Sequence, residues 1–165
     1  LLRHWNEGGL IFGFFGHASW HQWAASRFFH LDDLASISNL GRTPVVVELT
    51  CYTSAFQRPG ETLDEGLVVY DQGGAVGTWG STGLGLVAHQ RPLSAGFFKA
   101  VFVDEVESLG DAAMAGKLRL LAEPGFEGQT ELIDTFTLLG DPAVAFYRGA
   151  EIRRLSLPLV LRDHP

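Results

Sequence analysis

Two short apolar runs constrain this chain more than anything else in it. One is Leu10-Ile11-Phe12-Gly13-Phe14-Phe15; the other is Val45-Val46-Val47-Glu48-Leu49, broken only by its glutamate. Both are too short for a core helix, and neither alternates in polarity. Runs of this kind are strands buried on both faces, as in a parallel sheet covered by helices on either side. Segments with helical spacing follow them, notably 62–70, where Leu63, Leu67 and Tyr70 fall on one face. Strands alternating with helices give an α/β fold with a mainly parallel sheet.

The remaining segments are read the same way. Residues 1–7 end a helix capped by glycine. Residues 19–30, rich in aromatics, form a loop or short helix. A short helix over 31–37 carries Asp32 and Asp33 in its first turn, where the helix dipole favours them. A third strand is expected over 74–79, followed by a turn at 80–83. Helices are expected over 94–106, over 112–122 with Met114, Leu118 and Leu121 at helical spacing, and over 130–138. A last short strand is expected over 144–147, and an extended exit over 152–161. Residues 1–150 are therefore assigned to one domain, and 151–165 to an exit toward a following domain. The chain has no initiator methionine and opens in mid-helix. With so few strands, the expectation is a fragment whose N-terminal sheet partners lie upstream of residue 1.

Composition narrows the function. With 46% hydrophobic and 19% charged residues, 165 residues suffice for a folded domain with a core. A net charge of −7 argues against a general nucleic-acid surface, which needs clustered Lys and Arg. No apolar run reaches the length of a membrane span, and no signal peptide is visible. A single cysteine forms no internal disulfide, so cysteine usage does not reveal the redox compartment.

That cysteine, Cys51, stands at the C-terminal lip of the second run, and His17 stands just past the first. Open α/β sheets carry their reactive groups at this edge. A thiol with a nearby imidazole is a candidate nucleophile and base; a buried structural cysteine is the plainer alternative. His17 and His21 have the i, i+4 spacing of a helical metal pair, which keeps a metal-dependent hydrolase open, although no third ligand is fixed. Glu48 points by strand parity to the face opposite Cys51. As a buried carboxylate it needs a partner: it either buttresses the histidine side or pairs with a lysine or a helix terminus. Gly80-Ser81-Thr82-Gly83 fits neither a P-loop nor a serine elbow, and reads better as the wall of a substrate pocket. Gly140-Asp141-Pro142 is a turn.

In order and spacing, five segments resemble the gingipain-type cysteine peptidases. They are Gly16-His17-Ala18-Ser19 with Trp23-Ala24 beyond; Leu49-Thr50-Cys51 with Phe56; Glu65-Gly66-Leu67; Gly73-Gly74-Ala75-Val76 leading to Gly80-Ser81-Thr82-Gly83; and Leu138-Leu139-Gly140-Asp141-Pro142-Ala143. The resemblance implies a caspase-like three-layer α/β sandwich and endopeptidase chemistry through a Cys-His dyad and a thioester. It makes Cys51 the nucleophile and His17 the general base. The backbone amides of Ala18 and Cys51 become the oxyanion hole, and Trp79, Ser81 and Thr82 the substrate contacts. Where the family usually has glycine after the histidine, this chain has Ala18. The resemblance further implies no cofactor for catalysis, with a structural calcium left open. It implies a protein or peptide substrate, an acidic partner for the histidine from the upstream part of the same domain, and an extracellular or cell-surface, multidomain setting. A non-catalytic binding or assembly module that keeps the fold is the competing reading.

Overall fold

Val45, Val46 and Val47 are β-branched and favour extended backbone. They open the strand around which the protein is built. The computed structural model describes residues 1–125 and 131–146. In chain order its elements are α1 (Leu2–Glu7), β1 (Ile11–Phe15), β2 (Ala18–Ser19), β3 (Gln22–Trp23), β4 (Phe29–His30), a 3-10 helix (Leu31–Ser36), β5 (Val45–Leu49), α2 (Leu63–Val69), β6 (Gly77–Ser81), α3 (Val87–Phe102), α4 (Leu109–Leu121), α5 (Glu131–Thr135) and β7 (Phe136–Gly140). The main sheet runs β1-β5-β6-β7, with β1, β5 and β6 parallel and β7 antiparallel to β6.

Strand parity sorts β5 between two cores. Val45, Val47 and Leu49 pack with Trp79, Leu93, Phe97, Leu109, Leu120 and Phe136. Val46 faces the other way, toward Trp5, Trp23, Phe29, Leu34, Leu63 and Leu67. The sheet therefore has a layer on each face, as expected of the α/β sandwich. β5 is buried at every position, as its sequence predicts. β1 is not: it is an edge strand among the described residues, and Phe15 is 58% exposed.

Several elements differ from expectation. Residues 18–30 form a small antiparallel sheet, β2-β3-β4, instead of a loop or helix. Aromatic packing supplies the reason: Trp5 stacks on Phe29 with centroids 4.7 Å apart, and Phe14 stacks on Trp23 at the same separation. β6 begins three residues later than expected and ends two later, reaching into the predicted turn. α3 begins earlier than residue 94 and runs through Pro92.

α4 buries Leu109, Ala112, Ala113, Gly116 and Leu120 and leaves Met114, Leu118 and Leu121 half-exposed. Close packing explains this choice of face. A Cβ on Gly116 would lie 2.6 Å from the Trp79 ring, and one on Gly96 of α3 would lie 2.9 Å from the Gly116 Cα. Only small residues fit the middle of that seam, so Met114, Leu118 and Leu121 turn outward while Leu109 and Leu120 stay buried nearer the helix ends.

The helix expected over 130–138 ends at Thr135. Residues 136–140 become β7 because β6 offers a full antiparallel ladder, Gly77 opposite Gly140 through Ser81 opposite Phe136. Tertiary pairing overrides local propensity there. Of the expected strand at 144–147, the described part makes one bridge, Ala145 to Ser108. The expected exit over 152–161 lies outside the described residues. α1 closes on Gly8 at φ 82, as expected for a glycine cap.

Candidate active site

β1 and β5 lie side by side with Phe15 opposite Leu49, and the Gly16 N–H still reaches the Leu49 carbonyl at 3.4 Å. Each chain runs two residues past that pair, one to His17 and the other to Cys51. Adjacent parallel strands are ~4.8 Å apart, so the imidazole and the thiol leave neighbouring strand ends at the same level. His17 is exposed and Cys51 half-buried.

The His17 loop is held by β3. The Ala24 N–H donates to the His17 carbonyl at 2.8 Å, and Ala18 pairs with Trp23. Antiparallel pairs alternate between hydrogen-bonded and non-hydrogen-bonded. The 17–24 pair is bonded, so the Ala18 N–H points away from β3.

The Cys51 loop is held by the segment after β6. The Gly85 N–H donates to Cys51 Sγ at 3.3 Å, and Sγ lies 3.8 Å from the Gly85 carbonyl. The Tyr52 N–H donates to the Gly83 carbonyl at 3.1 Å, and Tyr52 has φ 65, uncommon for a non-glycine residue. From below, the buried Gln90 of α3 donates to the Thr50 carbonyl at 3.0 Å. Exposed apolar side chains (Tyr52, Phe56, Leu84 and Leu86) surround these loops.

The side chains of the three expected substrate contacts have partners within the chain. The Trp79 side chain is fully buried between Phe97 and Phe136. Ser81 is also buried; its hydroxyl donates to the Gly83 carbonyl and accepts from the Gly83 N–H. Thr82 is half-buried, with its hydroxyl donating to the Thr135 carbonyl at 3.1 Å. All three side chains serve the turn or the core, because β6 is a central strand extending to Ser81. The histidines separate as well. Residues 17–21 are not helical, so His17 and His21 lack the geometry of a helical metal pair. His21 Nδ1 instead meets the Ser19 hydroxyl at 3.1 Å, and its ring stands edge-on to His30. Burial, then the charges of His30, Arg58 and Arg27, hold the His21 imidazole below its ordinary range.

Glu48 finds neither a lysine nor a helix terminus. Its carboxyl is buried and accepts from the Trp23 indole N–H. It lies against Asp64, a second buried carboxyl, which accepts from the Ser54 hydroxyl. Burial, reinforced by the Asp64 charge, raises Glu48 well above the usual carboxylate range; burial also raises Asp64. Asp64 was not singled out from sequence. It occupies the first turn of α2 inside a Thr62–Glu65 capping box, where an acid is unremarkable.

A stability profile follows from this burial. A carboxyl raised by folding adds no penalty below its unfolded value, and its stabilising proton is lost as pH rises through the folded value. The free energy of unfolding in urea should therefore fall as pH rises above the ordinary carboxylate range, with a slope of up to about 1.4 kcal/mol per pH unit for one proton. Glu48→Gln should flatten the decline; a free energy that rises there would contradict the assignment.

The model of Peptidase family C25 matches residues 1–147. The chain belongs to this family. Among solved structures, the fold of this family member is similar to "Crystal structure of the Arg specific cysteine proteinase gingipain R (RGPB)", with a TM-score of 0.79 and 20% identity over 88% of this chain and 35% of that one. It is similar to the Porphyromonas gingivalis complex of RgpB pro- and mature domains, with a TM-score of 0.78 and 19% identity over 86% and 35%. It is also similar to a chain described as "Structure of Protease", with a TM-score of 0.80 and 18% identity over 99% and 41%. The chain thus spans between a third and a half of the length of these structures. No curated protein sequence matches it. Among the described residues no helix is long and apolar enough to cross a membrane.

Proposed function

We propose that the protein containing this chain is a cysteine endopeptidase acting on protein or peptide substrates, with Cys51 as nucleophile and His17 as general acid and base. The register of β1 and β5 carries this reading, because it sets the two groups at neighbouring strand ends. In the first step His17 takes the Cys51 thiol proton, the sulfur attacks the scissile carbonyl carbon and the carbonyl electron pair moves to oxygen. The N–H groups of Ala18 and Cys51 receive that oxyanion, and the outward direction of the Ala18 N–H supports the assignment. Collapse of the intermediate breaks the C–N bond, and His17 gives the leaving amine its proton. His17 then takes a proton from water, whose oxygen attacks the thioester carbonyl; the C–S bond breaks, and His17 returns the proton to the freed sulfur.

Membership of the family supports a peptidase over a metal-dependent hydrolase, and the loss of the helical His17–His21 geometry weakens the latter further. By the same family reasoning the protein works outside the cell or on its surface, without a catalytic cofactor. Its histidine is completed by an acidic group from another part of the domain.

Alkylation tests the dyad. Iodoacetamide should label Cys51 at neutral pH faster than it labels free cysteine, because an adjacent base or positive field supplies thiolate. Labelling no faster than free cysteine rejects the dyad and favours the non-catalytic module.

A further inference from the structure

Beneath the two loops of the proposed site lies a carboxyl pair that the cleavage scheme leaves unused. Glu48 and Asp64 are both fully buried. Among the described residues no basic group faces either one. Glu48 lies against Asp64 and accepts from the Trp23 indole; Asp64 accepts from the Ser54 hydroxyl, and the Thr53 and Thr78 hydroxyls beside the pair are buried without a hydrogen-bond partner. Two of the four carboxyl oxygens have a firm donor: Trp23 serves Glu48 Oε1 and Ser54 serves Asp64 Oδ2. The other two, Glu48 Oε2 and Asp64 Oδ1, are buried with no hydrogen-bond partner. Two ionised carboxylates in contact, away from water and without a cation, repel strongly. A single proton removes that repulsion and supplies the missing donor.

The donors sit on opposite sides of the site. Trp23 stands opposite Ala18, and the next residue, Ala24, holds the His17 carbonyl. Ser54 lies three residues past Cys51; its N–H donates to the Ser81 carbonyl at 3.2 Å, while the Asp64 N–H donates to the Thr53 carbonyl at 3.3 Å. Glu48 is on β5 itself. A continuous path therefore runs from the His17 loop through Trp23, Glu48, Asp64 and Ser54 to the Cys51 loop.

We propose that Glu48 and Asp64 share one proton, and that the resulting O–H···O bond is a positioning link setting the His17 loop against the Cys51 loop. Its consequence for cleavage rests on the peptidase reading; the shared proton does not. Loss of the proton at alkaline pH puts two like charges in contact, pushes Trp23 and Ser54 apart, and loosens both loops. Glu48→Gln keeps an acceptor for Trp23 and a donor for Asp64 but has no proton to lose.

The test compares the complete wild-type protein with Glu48→Gln. Infrared spectroscopy at neutral pH should show the carbonyl band of a protonated carboxylic acid in the wild type and not in the variant. Neutral-pH kcat/KM should stay within about threefold, while the alkaline limb of its pH profile should move up by about one unit or more. A wild type without the band overturns the shared proton. An unchanged alkaline limb overturns the positioning link. A protein that shows the band and cleaves no peptide supports the shared proton and refutes the peptidase reading instead. If Glu48→Gln does not fold, Asp64→Asn gives the same infrared reading and the same requirement on the alkaline limb.

Discussion

Cys51→Ala is expected to lower kcat/KM for peptide cleavage by the complete protein by at least about 10³-fold, down to what substrate binding and the oxyanion donors sustain without a nucleophile. The fold should not change. Cys51 is only half-buried, and its sulfur takes one amide hydrogen bond, from Gly85. Circular dichroism and the urea midpoint of the variant should match wild type. Cleavage within tenfold of wild type would remove Cys51 from the mechanism. Unchanged cleavage with lost stability would make the thiol a packing group after all.

The second large effect comes from a residue with no reactive group. Gly80 is the fourth residue of β6, and its missing side chain leaves room for the polar cluster below. A Cβ there would stand 2.7 Å from Asp64 Oδ2, 2.8 Å from the Thr53 hydroxyl and 2.9 Å from the Ser54 hydroxyl. All three residues are fully buried, so none can swing aside into solvent. Gly80→Ala should destabilise the protein by about 3 kcal/mol, combining overpacking with a disturbed buried hydrogen bond. In a domain of this size that is roughly a 10 °C fall in Tm. Cleavage should fall as well at temperatures where the variant is still folded, because Thr53 and Ser54 belong to the Cys51 loop. A thermal melt within about 2 °C of wild type would show that the cluster yields more easily than its burial implies.

How far the sequence reveals this site depends on which residues advertise themselves. β5 is legible because five consecutive buried positions leave an apolar run with a single polar break. His17 and Cys51 are legible because each ends such a run. β6 is much less so. Thr78, Gly80 and Ser81 are buried although small or polar, since one face of the strand is filled by Trp79 and the other lies, at Gly80, on the buried Thr53, Ser54 and Asp64. Apolar periodicity therefore places the strand too early and reads its buried end as a turn. α4 misleads in the opposite direction: Met114, Leu118 and Leu121 face out, and the middle of its packing face is built from alanine and glycine, with Leu109 and Leu120 buried toward its ends. Gly85 and Gln90, which hold the thiol and the carbonyl before it, carry no signal in one sequence. Asp64 is hidden because its capping-box surroundings already account for an acid at that point.

The glycine seam between α3 and α4 reaches further than helix packing. Gln90 is on α3, and its amide holds the carbonyl of Thr50, one residue before the thiol. A Cβ added to Gly85 would stand 2.3 Å from that same amide nitrogen. The backbone just before the sulfur is thus tied to a helix that packs on α4 where Gly96 of α3 meets Gly116 of α4. Tolerance to substitution on the rear of the molecule should therefore be graded by height along α3 rather than by distance from Cys51. A bulky residue at the seam tilts the helix, and the tilt is delivered to the reactive atom through one amide.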